Sequence, residues 1–93
     1  MKSKTTRDFW KCFHRLPKKV KLQTVMVYRQ WREDPFHPSL HFKQIGQKVP
    51  VYSVRVGRDW RALGLLKDNT TTWFWIGSHE DYNNLIQSVH NCE

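Results

Sequence analysis

Between Asp34 and Pro38 the apolar residues of this chain change period, and a chain that does so must build two kinds of structure. Upstream, Val20, Thr24, Val27 and Trp31 recur at i, i+4, i+7 and i+11, a helical stripe that Tyr28 widens. Downstream the pattern alternates, with strands expected over Val51–Val56, Trp60–Leu66 and Thr71–Ile76. Asp34-Pro35 and His37-Pro38 make the break, because proline lacks the N–H that would continue a helix.

Each side of the break can be divided further. Residues 7–16 place Phe9, Phe13 and Leu16 at helical spacing, and Pro17 ends that helix and suits the first turn of the next. The two form a hairpin. Met1 to Thr6 is open between a short strand and a frayed tail. Leu40 to Ile45 begins the β half, with a loop over Gly46 to Pro50. The short connections Gly57-Arg58-Asp59 and Lys67-Asp68-Asn69-Thr70 imply hairpins and an antiparallel meander. Ser78 to His90 returns to helical period, with Tyr82, Leu85, Ile86 and Val89 in one stripe. Ser78 followed by Asp81 matches a capping box, which makes His79 the first helical residue. The expectation is one α+β domain over residues 1–93. It has an N-terminal helical hairpin and a C-terminal helix, all on one face of a small twisted antiparallel sheet.

The first hairpin has a register that can be argued. A three-residue loop pairs Val56 with Trp60, Val54 with Ala62 and Tyr52 with Gly64, so that one face is wholly apolar. A two-residue loop would set Arg61 opposite Val54 and spoil that face. In the preferred register Arg55 and Arg61 are direct cross-strand neighbours on the other face. Like charges so opposed destabilise a sheet, and arginine forks match phosphate oxygens. Two readings are open: the pair binds an anion, or Asp59, Glu80 or water neutralises it.

Charge narrows the partner. The chain carries 16 Lys+Arg against 8 Asp+Glu, formal net charge +8, and 15 of the 16 cations lie at or before Arg61. A polyanion, nucleic acid or an acidic protein, is the expected partner. Five Trp, five Phe and three Tyr suffice for a core, which argues against disorder. No apolar run approaches the roughly 20 residues of a membrane span, and the amino terminus lacks a signal-peptide pattern. A cytoplasmic protein is expected. Cys12 and Cys92 form no disulfide framework or zinc motif, and Cys12 reads as structural.

Few residues could carry proton chemistry. A helix amino terminus disfavours positive charge, which suits His79 to the neutral imidazole of a general base. Tyr82 lies one turn on, where its hydroxyl could orient a phosphate or its ring stack on a base. The plainer alternatives are an exposed first-turn histidine and a core tyrosine. His37 and His41 are four apart, but Pro38 intervenes and no carboxylate cluster joins them, so neither metal nor cofactor is expected. Lys18, Lys19, Lys21, Arg29 and Arg32 on the second helix read either as a solvated face or as a guide onto structured RNA.

Five segments carry a resemblance: Phe13-His14-Arg15-Leu16-Pro17, Asp34-Pro35-Phe36-His37-Pro38-Ser39-Leu40, Tyr52-Ser53-Val54-Arg55-Val56, Trp60-Arg61-Ala62-Leu63-Gly64, and Trp73 through Tyr82. In this order, over about residues 5–90, they resemble the RelE/ParE superfamily of toxins from bacterial type II toxin–antitoxin systems. The resemblance implies a helical hairpin on a twisted antiparallel sheet. It also implies a ribosome-dependent messenger RNA endoribonuclease that needs no metal and is neutralised by a cognate antitoxin with an acidic surface or segment. Arg55 and Arg61 match the family's cationic strand positions, and His79 and Tyr82 fall near its carboxyl-terminal catalytic positions. Lys43 and Lys48 are candidate electrostatic helpers, and Lys18, Lys19, Arg29 and Arg32 candidate RNA contacts. Ser53 departs from the pattern, standing where a lysine is usual. The ParE branch instead poisons DNA gyrase on the same fold.

Overall fold

A computed structural model describes residues 1–91, with side chains through Gln87. Five strands, β1 (Lys2–Thr5), β2 (Lys43–Gln44), β3 (Val51–Val56), β4 (Trp60–Lys67) and β5 (Thr70–Ser78), form one sheet in the order β1-β5-β4-β3-β2. Three helices, α1 (Arg7–His14), α2 (Lys18–Glu33) and α3 (His79–Asn91), complete the domain. The α+β class, the helical hairpin and the antiparallel β2–β5 meander agree with the sequence reading. Val89 falls beyond the described side chains, and Cys92 and Glu93 beyond the described residues.

Local chemistry sets the boundaries. Thr6 caps α1 by accepting from the Phe9 N–H at 3.1 Å, and also donates to the Trp73 carbonyl, tying helix start to sheet. Pro17 is the N-cap residue of α2. Pro38–Leu40 forms a 3-10 turn and His41 adopts a left-handed conformation, so β2 shrinks to two residues rather than starting at Leu40. Asp68 and Asn69 both have positive φ, 52° and 58°, as a tight two-residue hairpin requires. Gly57, at φ 62°, opens the three-residue β3–β4 turn.

The sheet settles one open reading and overturns one expectation. The amino terminus is a strand, and it pairs with β5 in parallel, Lys2 with Thr70 through Thr5 with Trp73. Lys-Ser-Lys-Thr has no apolar alternation that would announce it. The helices occupy both faces of the sheet, where one was expected. Phe9, Leu16, Val20 and Trp31 of the hairpin segment join Val54, Val56, Ala62 and Ile76 in one core. Tyr82, Leu85 and Ile86 of α3 pack instead with Val51 and Leu63, whose side chains point the other way. A helix with a single apolar stripe fits either face. On the expected face the place is already taken by the aromatic cluster of Trp31, Phe42 and Trp73.

The outer side of α2 also differs. Leu22, Val25 and Met26 are exposed at 60, 43 and 69%, an i, i+3, i+4 stripe among the lysines. Beside it, an apolar cavity of about 220 Å³ opens between α1 and α2, lined by Trp10, Phe13, Val25, Tyr28 and Trp31. Trp31 Nε1 is buried without a hydrogen-bond acceptor among the described residues.

Candidate functional site

The argued register of the first hairpin is the one observed: Val56 pairs with Trp60, Val54 with Ala62, Tyr52 with Gly64 and Arg55 with Arg61. The arginine pair therefore lies on the α3 face, both side chains half-buried. Neither guanidinium has a carboxylate partner among the described residues. Arg55 Nε donates to the Gly57 carbonyl at 3.1 Å. One Arg61 nitrogen donates to the carbonyls of Trp60 at 2.7 Å and Arg58 at 3.3 Å. These bonds hold the side chains at the turn and, among the described residues, leave most of the five donors of each fork unused. Burial lowers the Arg61 pKa from its ordinary value and the Arg55 charge adds to this, while Tyr82 and Asp59 act in the opposite direction. An arginine so placed remains a cation at neutral pH, and a bound anion would relieve the strain.

The start of α3 brings His79 to the same corner. Its backbone N–H donates to the Asp59 carbonyl at 2.7 Å, which fastens the helix to the turn that carries Arg61. Ser78 caps the helix as expected, its hydroxyl accepting from the Asp81 N–H at 3.2 Å. The His79 ring is exposed, 5.9 Å from that of Tyr82, and its Nδ1 lies 3.5 Å from the Asn83 amide. The backbone of His79 is thus tied to the turn between the two arginine strands, and Tyr82, one helical turn on, is near enough to Arg61 to act on its charge. Tyr82 needs a correction of role, because it is only 8% exposed and its hydroxyl points to buried Ser53 at 3.4 Å. Its ring belongs to the core and offers no open surface for a base to stack on.

Ser53 explains the absent lysine. It is 3% exposed beneath Tyr82, where a long cation would have to displace the ring. Lys43 sits directly across from Ser53 on β2, so this exposed lysine lies on the arginine face, one strand further out. Lys48 lies in the loop between β2 and β3. Lys18, Lys19, Lys21, Arg29 and Arg32 ride on α2, across the sheet from the arginine pair. Among the described residues no three His, Cys, Asp or Glu side chains converge as a metal site. No helix there is long and apolar enough to cross a membrane.

Sequence reading overlooked Trp75 and Gly77, which adjoin the pair. A register irregularity between Leu63 and Gly64 sets Gly64 opposite Trp73 but Leu63 opposite Trp75, leaving Phe74 as the extra residue of a bulge. Trp73 remains in the hairpin core, and Trp75 turns to the arginine face. The signal was the run Trp73-Phe74-Trp75, three large aromatics that simple alternation cannot place equally well.

Comparison with known proteins agrees with this architecture. The RelE-type fold recurs in the RelB–RelE antitoxin–toxin complex of Methanococcus jannaschii, with TM-score 0.71, 13% identity, and 88% of this chain and 96% of that one covered. It recurs in the RelBE2 toxin–antitoxin complex of Mycobacterium tuberculosis, with TM-score 0.68, 17% identity, and 84% and 96% covered. A YoeB/ParE toxin from Agrobacterium tumefaciens gives TM-score 0.64 at 15% identity, with 85% and 99% covered. No curated protein matches in sequence. The model of the ParE-like toxin domain matches residues 18–84, from the start of α2 into α3 and so through the arginine hairpin. The chain therefore belongs to the ParE-like toxin domain family, within the RelE/ParE superfamily.

Proposed function

We propose that this chain is the toxin of a toxin–antitoxin pair and cleaves messenger RNA on the ribosome. The observation that carries the reading is the Arg55–Arg61 pair, held at one turn without a carboxylate partner among the described residues, with the backbone of His79 bonded to that turn. Such a pair suits a phosphate that gains charge during reaction. In the proposed step a ribose 2′-oxygen attacks the adjacent phosphorus. The bond to the 5′-oxygen of the next nucleotide breaks, leaving a 2′,3′-cyclic phosphate and a 5′-hydroxyl. Arg55 and Arg61 hold the non-bridging oxygens. His79 takes the 2′-hydroxyl proton or supplies one to the leaving oxygen. Tyr82 positions His79 through ring contact, and Lys43 adds positive potential from β2.

An acidic antitoxin segment is the partner proposed for the α1/α2 side. The apolar cavity, the exposed Leu22, Val25 and Met26, and the surrounding lysines suit an acidic amphipathic segment. Antitoxin complexes among structures of this fold support that reading. It also gives the α2 cations a use away from the RNA site.

The ParE-like family match favours a second reading, a gyrase poison without nuclease activity, since one fold serves both targets. Purified protein added to a reconstituted translating system, with message ends mapped by primer extension, separates the two. Ribosome-dependent cuts that vanish with Arg61→Ala are expected. Intact message together with stabilised gyrase–DNA breaks would overturn the nuclease reading.

A further inference from the structure

The face that carries the arginine pair also carries the indole of Trp75, which makes no ring contact among the described residues. The bulge at Phe74 moves Trp75 out of register with Trp73 and onto this face, opposite Leu63. Two residues on, Gly77 stands opposite Arg61. A Cβ built on Gly77 would lie 2.5 Å from Cζ2 and 2.8 Å from Cη2 of Trp75. The six-membered ring of the indole therefore occupies the space above Gly77, in the position next to Arg61 across the strands. Glycine at 77 is the residue that lets it lie there.

Trp75 also differs from the buried aromatics of the hairpin core. Trp73 is 4% exposed and its Nε1 donates to Ser3. Trp31 and Phe42 are locked in ring contacts. Trp75 is half-buried against the small Val51–Leu63–Tyr82 core, with no ring contact and no hydrogen bond to its indole among the described residues. Full burial would have needed no bulge, since unbroken alternation would have sent the residue into the hairpin core with Trp73.

We propose that Trp75 is the base-stacking residue of the arginine site: its indole, laid over Gly77 beside Arg61, receives the nucleobase next to the phosphate that Arg55 and Arg61 hold. This rests on reading the site as a ribonuclease. A single-stranded message suits the arrangement, because its unstacked bases can be splayed onto an aromatic ring while cations grip the backbone. Stacking tolerates every base but grips the larger purine rings more firmly, so Trp75 would bias which positions are cut. The stacking role that Tyr82 cannot take from its buried position thereby passes to Trp75.

Single-turnover cleavage of ribosome-bound message, measured against toxin concentration for messages with a purine, a pyrimidine or an abasic site at each nucleotide flanking the cut, tests this. Wild type should lose affinity when one particular base is removed. Trp75→Leu should need roughly 5–150-fold more protein on intact message and become indifferent to that base. Trp75→Phe, which keeps a ring, should restore most of the loss. Gly77→Ala, which displaces the indole without altering it, should behave like Trp75→Leu, with folding of each variant checked by circular dichroism. A folded Trp75→Leu that cuts with wild-type concentration dependence and base preference would overturn the stacking role and leave the nuclease standing. Equal weakening at every message, with base sensitivity retained, would also overturn it by showing a purely structural role. A wild type that leaves all messages intact would remove both.

Discussion

On the hairpin side of the sheet, Val54, Val56, Ala62 and Ile76 meet Phe9, Val20 and Trp31 in a continuous apolar core. On the α3 side, beyond the small Val51–Leu63–Tyr82 core, the same strands carry Arg55, Arg61, Ser53 and Gly77. Side chains one residue apart on β3 and β4 thus answer to different demands. The first face removes apolar area from water and holds the domain together. The second sets two cations opposite each other, depresses the Arg61 pKa, and leaves an indole partly exposed. A cation whose pKa falls on folding is worse off in the folded chain at every pH below that lowered value. The charge of Arg61 is therefore less favourable in the folded chain than in the unfolded one under all ordinary conditions. Residues whose charges work against the fold are where binding chemistry is to be sought.

The contrast can be broken most forcefully from the hairpin side. Trp31→Ala should cost about 3–5 kcal/mol, read as a fall in the urea midpoint, because the ring is 1% exposed and touches Phe42 and Trp73. Arg61→Ala should act the other way round. Cleavage should fall by about 10²–10³ in single-turnover assays while the urea midpoint holds or rises. Tyr82→Phe lies between the two faces. It removes the 3.4 Å bond to Ser53 and the hydroxyl that acts on the Arg61 charge, and should cost at most about 1 kcal/mol, with wild-type cleavage if the ring alone positions His79. The smallest effect belongs to Lys43→Ala, a few-fold loss of cleavage that shrinks as salt rises, since an exposed charge acts through screened potential. Equal loss at low and high salt would place Lys43 in direct contact with substrate instead.

Much of this contrast is legible in the sequence, and the parts that are not share a cause. The Arg55–Arg61 pairing follows from parity: only one loop length keeps Val54, Ala62 and Tyr52 on a common face, and it forces the arginines together. Ser78 and Asp81 likewise place His79 at the helix start. Parity fails where a strand is irregular, so the bulge that turns Trp75 towards the arginines is invisible to alternation. The position of α3 is equally hidden, because its apolar stripe fits either side of a sheet and only the volume already filled by Trp31, Phe42 and Trp73 decides. β1 pairs through backbone groups that any residue owns, and Lys2–Thr5 gives no side-chain signal of it. Leu22, Val25 and Met26 stand at helical spacing in plain view, yet the neighbouring lysines make that side of α2 read as solvated.

The central claim is that the arginine face exists for an anion and not for the fold. Its most direct test is a paired measurement on Arg61→Gln, with urea unfolding and ribosome-dependent cleavage taken on the same preparation. Relief of the opposed charges should leave stability equal or raise it by about 0.2–1 kcal/mol, while cleavage is lost. A variant less stable by more than about 1 kcal/mol that still cuts message at the wild-type rate would contradict the claim and make Arg61 a structural residue.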